Sequence, residues 1–274
     1  MKARDNLRLV TPKVQGPAPR QVYSLIAPYY DRIFAVEKPQ WRIVRHRLLR
    51  EALRETKSMC DLGSGTGTTA LDFARTGIKV YGVDRCEAMC RVARRKARQA
   101  RLPIHILRGD MRSFRLPEQV DIITCESNAI NHIPRRSDLK RVASAAARAL
   151  KPGGWFFFDV LHRAAFEDPS DMLGEARGLQ FWRRAGFDRA TRKGWLEFTF
   201  FIARTKRLWE ANREIIWQNT WSSREIRDAL RGAGFARVRA YDLVDVIPSF
   251  KRSFGYRRGY WCFYVARKPN SSKP

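Results

Sequence analysis

Strand-like and helix-like runs alternate from residue 58 to residue 160, and that alternation predicts an α/β fold built on a parallel sheet. Two further observations place a ligand site within it. Glycines at 63, 65 and 67 end one strand and open a helix, and Asp84 ends the next strand about twenty residues later.

Residues 1–19 hold Pro12, Pro17 and Pro19 with few large apolar residues in periodic order, and are expected to form a mobile tail. Residues 20–57 read as a helical cap. Val22, Leu25, Ile26, Tyr29, Tyr30, Ile33 and Phe34 recur at helical spacing, then Ile43, Val44, Leu48, Leu49 and Leu53, with Pro39 as a break. Residues 58–274 read as one α/β domain carrying a lid insertion at about 163–221. Strands are predicted near 58–62, 78–83, 104–108, 120–125 and 154–160, and helices near 67–76, 86–101 and 136–150. The last of these carries Leu139, Val142, Ala143, Ala146 and Leu150 on one stripe, and Lys151-Pro152-Gly153-Gly154 ends it by turn chemistry.

In the insertion the rhythm changes. Leu196, Phe198, Phe200 and Ile202 share one face of a two-residue period, and a second run follows near Glu214 to Trp221, so an antiparallel ribbon is expected. Ser222-x-x-Glu225 has the form of a capping box opening a helix through Leu230, stopped by Gly232 and Gly234. Closing strands near 236–246 and 259–267 bring the strand count of the main sheet to seven.

No stretch approaches 18 uninterrupted apolar residues, and the N-terminus, with Lys2, Arg4, Asp5 and Arg8, lacks the apolar core of a signal peptide. A soluble, cytoplasmic protein is the expectation. Cysteines at 60, 86, 90, 125 and 262 form no C-x-x-C pair, and histidines at 46, 105, 132 and 162 are widely spaced, which argues against a metal site. The 54 Lys and Arg against 27 Asp and Glu leave a net charge of +27. They cluster at Arg91, Arg94, Arg95, Lys96, Arg98 and Arg101, and again from Lys251 to Lys273. Such a field attracts nucleic acid, anionic lipid or anionic substrates, or else coats solvated faces; on 86–101 the inward stripe of Met89, Val92, Ala93, Ala97 and Ala100 leaves the arginines mostly on the wet side.

The glycine turn itself excludes two ligands. Thr68 stands where the dinucleotide fingerprint needs its third glycine, and no Gly-Lys-[Ser/Thr] follows as a phosphate loop requires. An acid at the end of the second strand suits the hydroxyls of a ribose.

The run Asp61-x-Gly63-x-Gly65-x-Gly67 resembles the first motif of class I S-adenosylmethionine (SAM)-dependent methyltransferases. The likeness continues through Gly109-Asp110-Met111-Arg112, Val120-Asp121-Ile122-Ile123-Thr124-Cys125 and Leu150-Lys151-Pro152-Gly153-Gly154-Trp155. It implies a Rossmann-like seven-stranded sheet, its last strand antiparallel, with an N-terminal helical cap and an inserted antiparallel ribbon. It also implies SAM as cofactor, S-adenosylhomocysteine (SAH) as product, and Asp61, Gly63, Ser64, Gly65, Asp84, Arg85, Asp110, Met111 and Glu126 as cofactor-binding residues. Within that set, the Gly63–Gly67 backbone would face the methionine portion, Asp84 the ribose, and Asp110 and Met111 the adenine. The segment Ser127-x-x-Ile130-x-His132 is similar to small-molecule methyltransferases, including enzymes that methylate amino groups on nucleotide-linked sugars. By that resemblance His132 is the candidate base or orienting group. The aromatics Tyr23, Tyr29, Tyr30 and Trp41 of the cap and Trp195 and Trp217 of the ribbon are candidate walls of the acceptor pocket, Tyr30 and Trp195 foremost. The resemblance implies N or O of a small molecule as the acceptor atom. The fourth motif lacks the Pro-Pro-aromatic tetrad of enzymes acting on bases, so nucleic acid is a possible but not favoured partner; RNA, or a SAM-binding scaffold without turnover, are the alternatives. A homo-oligomer is compatible with all of these.

Overall fold

Residues 23–35, 38–168, 171–176, 178–203, 205, 208–249 and 256–270 are described by the computed structural model. The expected tail at 1–19 lies outside the described residues, as do Val22, Lys251, Arg252 and Lys273.

Among the described residues, α1 (Tyr30–Ile33), α2 (Lys38–Leu48) and α3 (Arg50–Leu53) precede the sheet. Pro39 stands in the first turn of α2, where a missing N–H costs nothing, so it begins a helix rather than breaking one. The alternating part follows the periodicity of the sequence through β1 (Ser58–Leu62), α4 (Thr68–Ala74), β2 (Lys79–Asp84), α5 (Glu87–Gln99), β3 (Ile104–Arg108) and β4 (Val120–Cys125). A 3₁₀ turn at Ala129–His132 leads into α6 (Arg136–Ala149) and β5 (Leu150–Leu161). β5 begins earlier than expected because Leu150 already pairs with Val120. The irregularity that the Pro-Gly-Gly turn announces is absorbed as a register shift against Val120 and Ile122.

After α7 (Arg163–Glu167), the insertion is a full sheet and not a two-strand ribbon. It comprises β6 (Met172–Ala176), β7 (Leu179–Asp188), β8 (Lys193–Ala203) and β9 (Trp209–Asn219), all antiparallel in that order. Its inner face carries Leu179, Phe181, Phe198, Phe200, Ile202 and Ile216 onto Ile26 and Ile33 of the cap.

The chain closes with α8 (Ser223–Gly232), β10 (Arg237–Asp242), α9 (Leu243–Val246) and β11 (Trp261–Arg267). Ser222 and Glu225 form the expected reciprocal capping box on α8. The strand expected to run to 246 stops at Asp242, whose carboxylate accepts from Val244 N at 3.1 Å and starts α9 instead.

The main sheet has the order β10-β11-β5-β4-β1-β2-β3, parallel except where β11 pairs antiparallel with β5 and β10. The chain winds outward from β1 to β3 and then returns to β4 on the other side of β1, so the carboxyl ends of β1, β2 and β4 flank a topological switch point. One face of the sheet buries Cys60, Leu62, Ile123, Phe156 and Phe158 under α6 and α8; the other buries Met59, Val80, Ile122 and Phe157 under α2 and α4. The cap is therefore partly core: Trp41 and Val44 of α2 pack directly on the sheet.

Candidate active site

A cavity opens at the switch point, and Gly63, Ser64 and Gly65 form one side of it. Gly63 N and Ser64 N donate to Val83 O at 2.7 and 3.1 Å, which stitches the turn to the end of β2. Gly65 (φ +52°) and Gly67 (φ +75°) are left-handed for different reasons. A Cβ on Gly67 would lie 2.9 Å from Ala93 Cβ on α5, whereas one on Gly65 would meet nothing within 4 Å and would project into open space. Asp84 braces the same turn: its Oδ2 accepts from Gly65 N at 2.8 Å and its Oδ1 from Cys86 N at 2.7 Å. Burial nonetheless holds the Asp84 carboxyl above its ordinary pKa, against the lowering pull of those two amides.

The floor is acidic. Asp61, at the end of β1, accepts from Thr124 Oγ1 at 3.2 Å, and Glu126 follows β4 directly. Both are buried, and both line the cavity. Arg45 of α2, itself 4% exposed, reaches Glu126 Oε2 at 2.6 Å, Asp72 Oδ2 at 3.1 Å and Thr69 Oγ1 at 3.2 Å. Asp61 Oδ2, Glu126 Oε1 and Ser64 Oγ are buried with no hydrogen-bond partner among the described residues. Burial, then the neighbouring Glu126, pushes the Asp61 carboxyl up to about 7, and burial raises Glu126 against the opposing pull of Arg45.

Toward β3, Asp110, Met111 and Arg112 line the cavity, with Met111 over Gly63. Arg112 closes on Asp110 through Nε and the backbone N–H to Oδ1 (2.9 and 2.8 Å) and Nη2 to Oδ2 (2.6 Å), which lowers the Asp110 carboxyl. Opposite stands His132, half-buried at the end of the 3₁₀ turn, with Nε2 2.9 Å from Tyr23 Oη and 3.5 Å from Gln218 Nε2. Asn128 Nδ2 donates to Gln218 Oε1 at 2.8 Å, which turns the Gln218 amide nitrogen toward His132 and leaves the imidazole Nε2 as the acceptor. Enclosure and the charge of Arg85 depress the His132 pKa to about 4.

Comparison with known proteins accords with this arrangement. Residues 59–154 match the family described as methyltransferase domain. This stretch is a methyltransferase domain. An N,N-dimethyltransferase of dTDP-4-amino-2,3,4,6-tetradeoxy-D-glucose from Saccharopolyspora spinosa is 34% identical over 155 residues, 54% of this chain and 59% of that protein. A ubiquinone biosynthesis O-methyltransferase from Hydrogenovibrio crunogenus is 32% identical over 111 residues, 40% of this chain and 44% of that protein. The chain thus spans about half the length of these two curated relatives. The fold is that of solved methyltransferases. A SAM-dependent methyltransferase from Clostridium acetobutylicum has a TM-score of 0.74 at 18% identity, covering 91% of this chain and all of that one. A sugar N-methyltransferase from a Streptoalloteichus species has a TM-score of 0.70 at 23% identity, covering 97% of this chain and all of that one.

Around the methyltransferase domain, the structure brings Asp61, Gly63, Ser64, Gly65, Asp84, Arg85, Asp110, Met111, Glu126, Tyr30 and His132 to one cavity. Trp195 it does not. In β8, Trp195 alternates with Leu196, Phe198 and Phe200 of the inner face, so it points to the outer face of the insertion sheet and lies over Gly186 of β7. Trp217, its partner in register and on the same face, borders the cavity from the edge strand β9. Arg45, Thr69, Asp72 and Gln218 were not anticipated. The available signal was an arginine four residues after Trp41 on the apolar stripe of α2, a position that a solvated side chain would not take. Among the described residues no group of three or more His, Cys, Asp or Glu suits a metal ion, and no helix is long and apolar enough to cross a membrane.

Proposed function

We propose that the chain moves a methyl group from SAM to a small-molecule amine, leaving SAH. The observation that carries this reading is the pair of buried carboxylates, Asp61 and Glu126, each with an unpartnered oxygen on the wall of a cavity whose other side is the glycine turn and Asp84. Buried carboxyls raised in this way ionise fully only beside further positive charge, and the ammonium of the methionine portion would supply it. The open space at Gly65 admits the ligand against the main chain. Asp84 would accept from the ribose, and Met111 would pack on the adenine.

A methyl group on a sulfonium is already activated, so the bound cofactor supplies the electrophile without metal or covalent help from the protein. The chain's task is to orient a nucleophile and keep water out. His132 presents a neutral Nε2 acceptor at the cavity wall, held by Tyr23 and Gln218. A group depressed to about 4 is a weak base for stripping a hydroxyl, whereas a neutral amine attacks with its own lone pair and needs no base for the attack. The amino-sugar substrate in the name of the Saccharopolyspora relative supports the same choice of nitrogen. Methyl-labelled SAM incubated with matched panels of small amines and alcohols tests it. Label is expected in amines, and Asp84→Ala should abolish both transfer and SAH binding; transfer confined to alcohols would reverse the assignment of nitrogen.

A further inference from the structure

Asp159 belongs to neither wall of the cavity, yet the elements that build the site meet on it. The β4–β5 register sets Phe158 opposite Cys125, so Asp159 stands beside Glu126 at the carboxyl ends of the two strands. It is 1% exposed. One oxygen, Oδ2, accepts from Asn128 N at 2.6 Å and from Trp261 Nε1 at 2.6 Å, while Oδ1 has no hydrogen-bond partner among the described residues.

Those contacts hold an unusual piece of backbone. Ser127 (φ +58°) and Asn128 (φ +52°) are consecutive left-handed residues; asparagine enters that region more readily than most, but serine does so rarely and two in succession need support from the surroundings. Glu126 precedes this pair, and the 3₁₀ turn ending in His132 follows it. Trp261 in turn packs on Trp41 of α2 with ring centroids 4.5 Å apart, and one helical turn later Arg45 reaches Glu126.

We infer that Asp159 is a positioning residue: by holding Ser127 and Asn128 left-handed it fixes Glu126 toward the cofactor and His132 toward the acceptor. The inference rests on the methyl-transfer reading for what the two sides bind, and on geometry alone for what Asp159 does. Because one oxygen takes both hydrogen bonds, an asparagine carries the same function without the charge, whereas alanine loses it. Glycine at 128 adopts the left-handed turn unaided.

The test uses the full chain with SAH as calorimetric probe, and the His132 imidazole titrated by NMR as a readout independent of any ligand. Asp159→Asn should bind SAH within about threefold of the unaltered chain, and Asp159→Ala at least about tenfold more weakly. In Asp159→Ala the His132 midpoint should also rise from about 4 toward the ordinary imidazole value. Adding Asn128→Gly to Asp159→Ala should restore SAH affinity, and this double variant carries the test if the single one does not fold. Equal affinities with an unmoved His132 midpoint, an Asn variant as weak as the Ala variant, or no rescue by Asn128→Gly would each overturn the role. A wild-type chain that binds no SAH overturns the methyl-transfer reading instead, and the His132 midpoint then decides the role of Asp159.

Discussion

Arg45 Nη1 lies 2.6 Å from Glu126 Oε2 with both side chains buried, so a helix of the N-terminal cap supplies the cation that balances the floor of the cofactor cavity. The cap is thereby part of the site's electrostatics as well as its cover. Replacing Arg45 with Met keeps much of the volume and removes the cation from buried Glu126, while Asp72 keeps Arg75 at 3.4 Å. Breaking a buried pair in this way costs roughly 3–5 kcal/mol. Urea unfolding at pH 8 should show a loss of that order. At pH 5.5 the loss should shrink, because Glu126, already raised by burial, takes up a proton once its guanidinium is gone. An equal loss at both pH values would place the cost in packing and not in charge.

Gly65 and Gly67 should separate binding from folding. Both are left-handed, so alanine at either carries backbone strain of about 1 kcal/mol or more. At Gly67 the new methyl also collides with Ala93, and the junction of α4 with α5 must open. At Gly65 it enters empty space on the cavity wall. Gly67→Ala should therefore lower the melting temperature markedly. Gly65→Ala should lower it only slightly while weakening SAH binding by about tenfold or more in calorimetry. The reverse pattern would mean the turn is not the cofactor cradle.

Most of the frame is legible in the sequence because each element follows a local rule. The two-residue and 3.6-residue periods mark β1, β4, α5 and α6 almost to the residue, and Ser222 with Glu225 marks the start of α8. The residues that the reading missed are set by contacts distant in sequence. Arg45 acquires its role from Glu126, 81 residues away, and Gln218 from His132 and Asn128, 86 and 90 residues away. Trp195 lies off the cavity because of its strand and not its face. A two-residue period tells which side chains share a face but not which strand meets a cavity, and of the in-register pair Trp195 and Trp217 it is Trp217, on the edge strand β9, that borders it. The end of β10 was misplaced because the capping role of Asp242 competes with the strand propensity of the residues after it.

If the proposed role of His132 holds, His132→Ala should lower turnover of an amine acceptor by about tenfold or more while leaving SAH affinity within about twofold. The pH dependence adds a second check. A His depressed to about 4 stays neutral down to that value, so the acid limb of kcat/KM caused by His132 should fall near pH 4 and not near 6.5. In stability the same shift runs the other way from the buried acids. The unfolded chain binds a proton on this residue below about 6.5 and the folded chain does not, so His132 costs stability as pH falls from about 6.5 to about 4. A limb near 6.5 that disappears in His132→Ala would contradict the burial that the fold imposes on the ring.

The pH dependence of cofactor binding follows from Asp61. In the free chain this carboxyl is raised to about 7, so its folded state holds a proton that the unfolded chain has lost above about 4. Its contribution to stability therefore falls as pH rises through the window from about 4 to about 7, and the penalty is complete above it. An ammonium brought against Asp61 Oδ2 and Glu126 Oε1 reverses the balance by favouring the ionised form. Binding of SAH at pH 6 should then release close to one proton, measurable by calorimetry in two buffers of different ionisation enthalpy, and the release should fade by pH 8. Affinity should weaken about tenfold from pH 8 to pH 6, the cost of expelling that proton one unit below its pKa. Asp61→Asn has no proton to lose, so its affinity should be lower at pH 8 and much flatter with pH. Proton uptake on binding, or a release that survives in Asp61→Asn, would show that the cation of the ligand does not sit on this carboxylate.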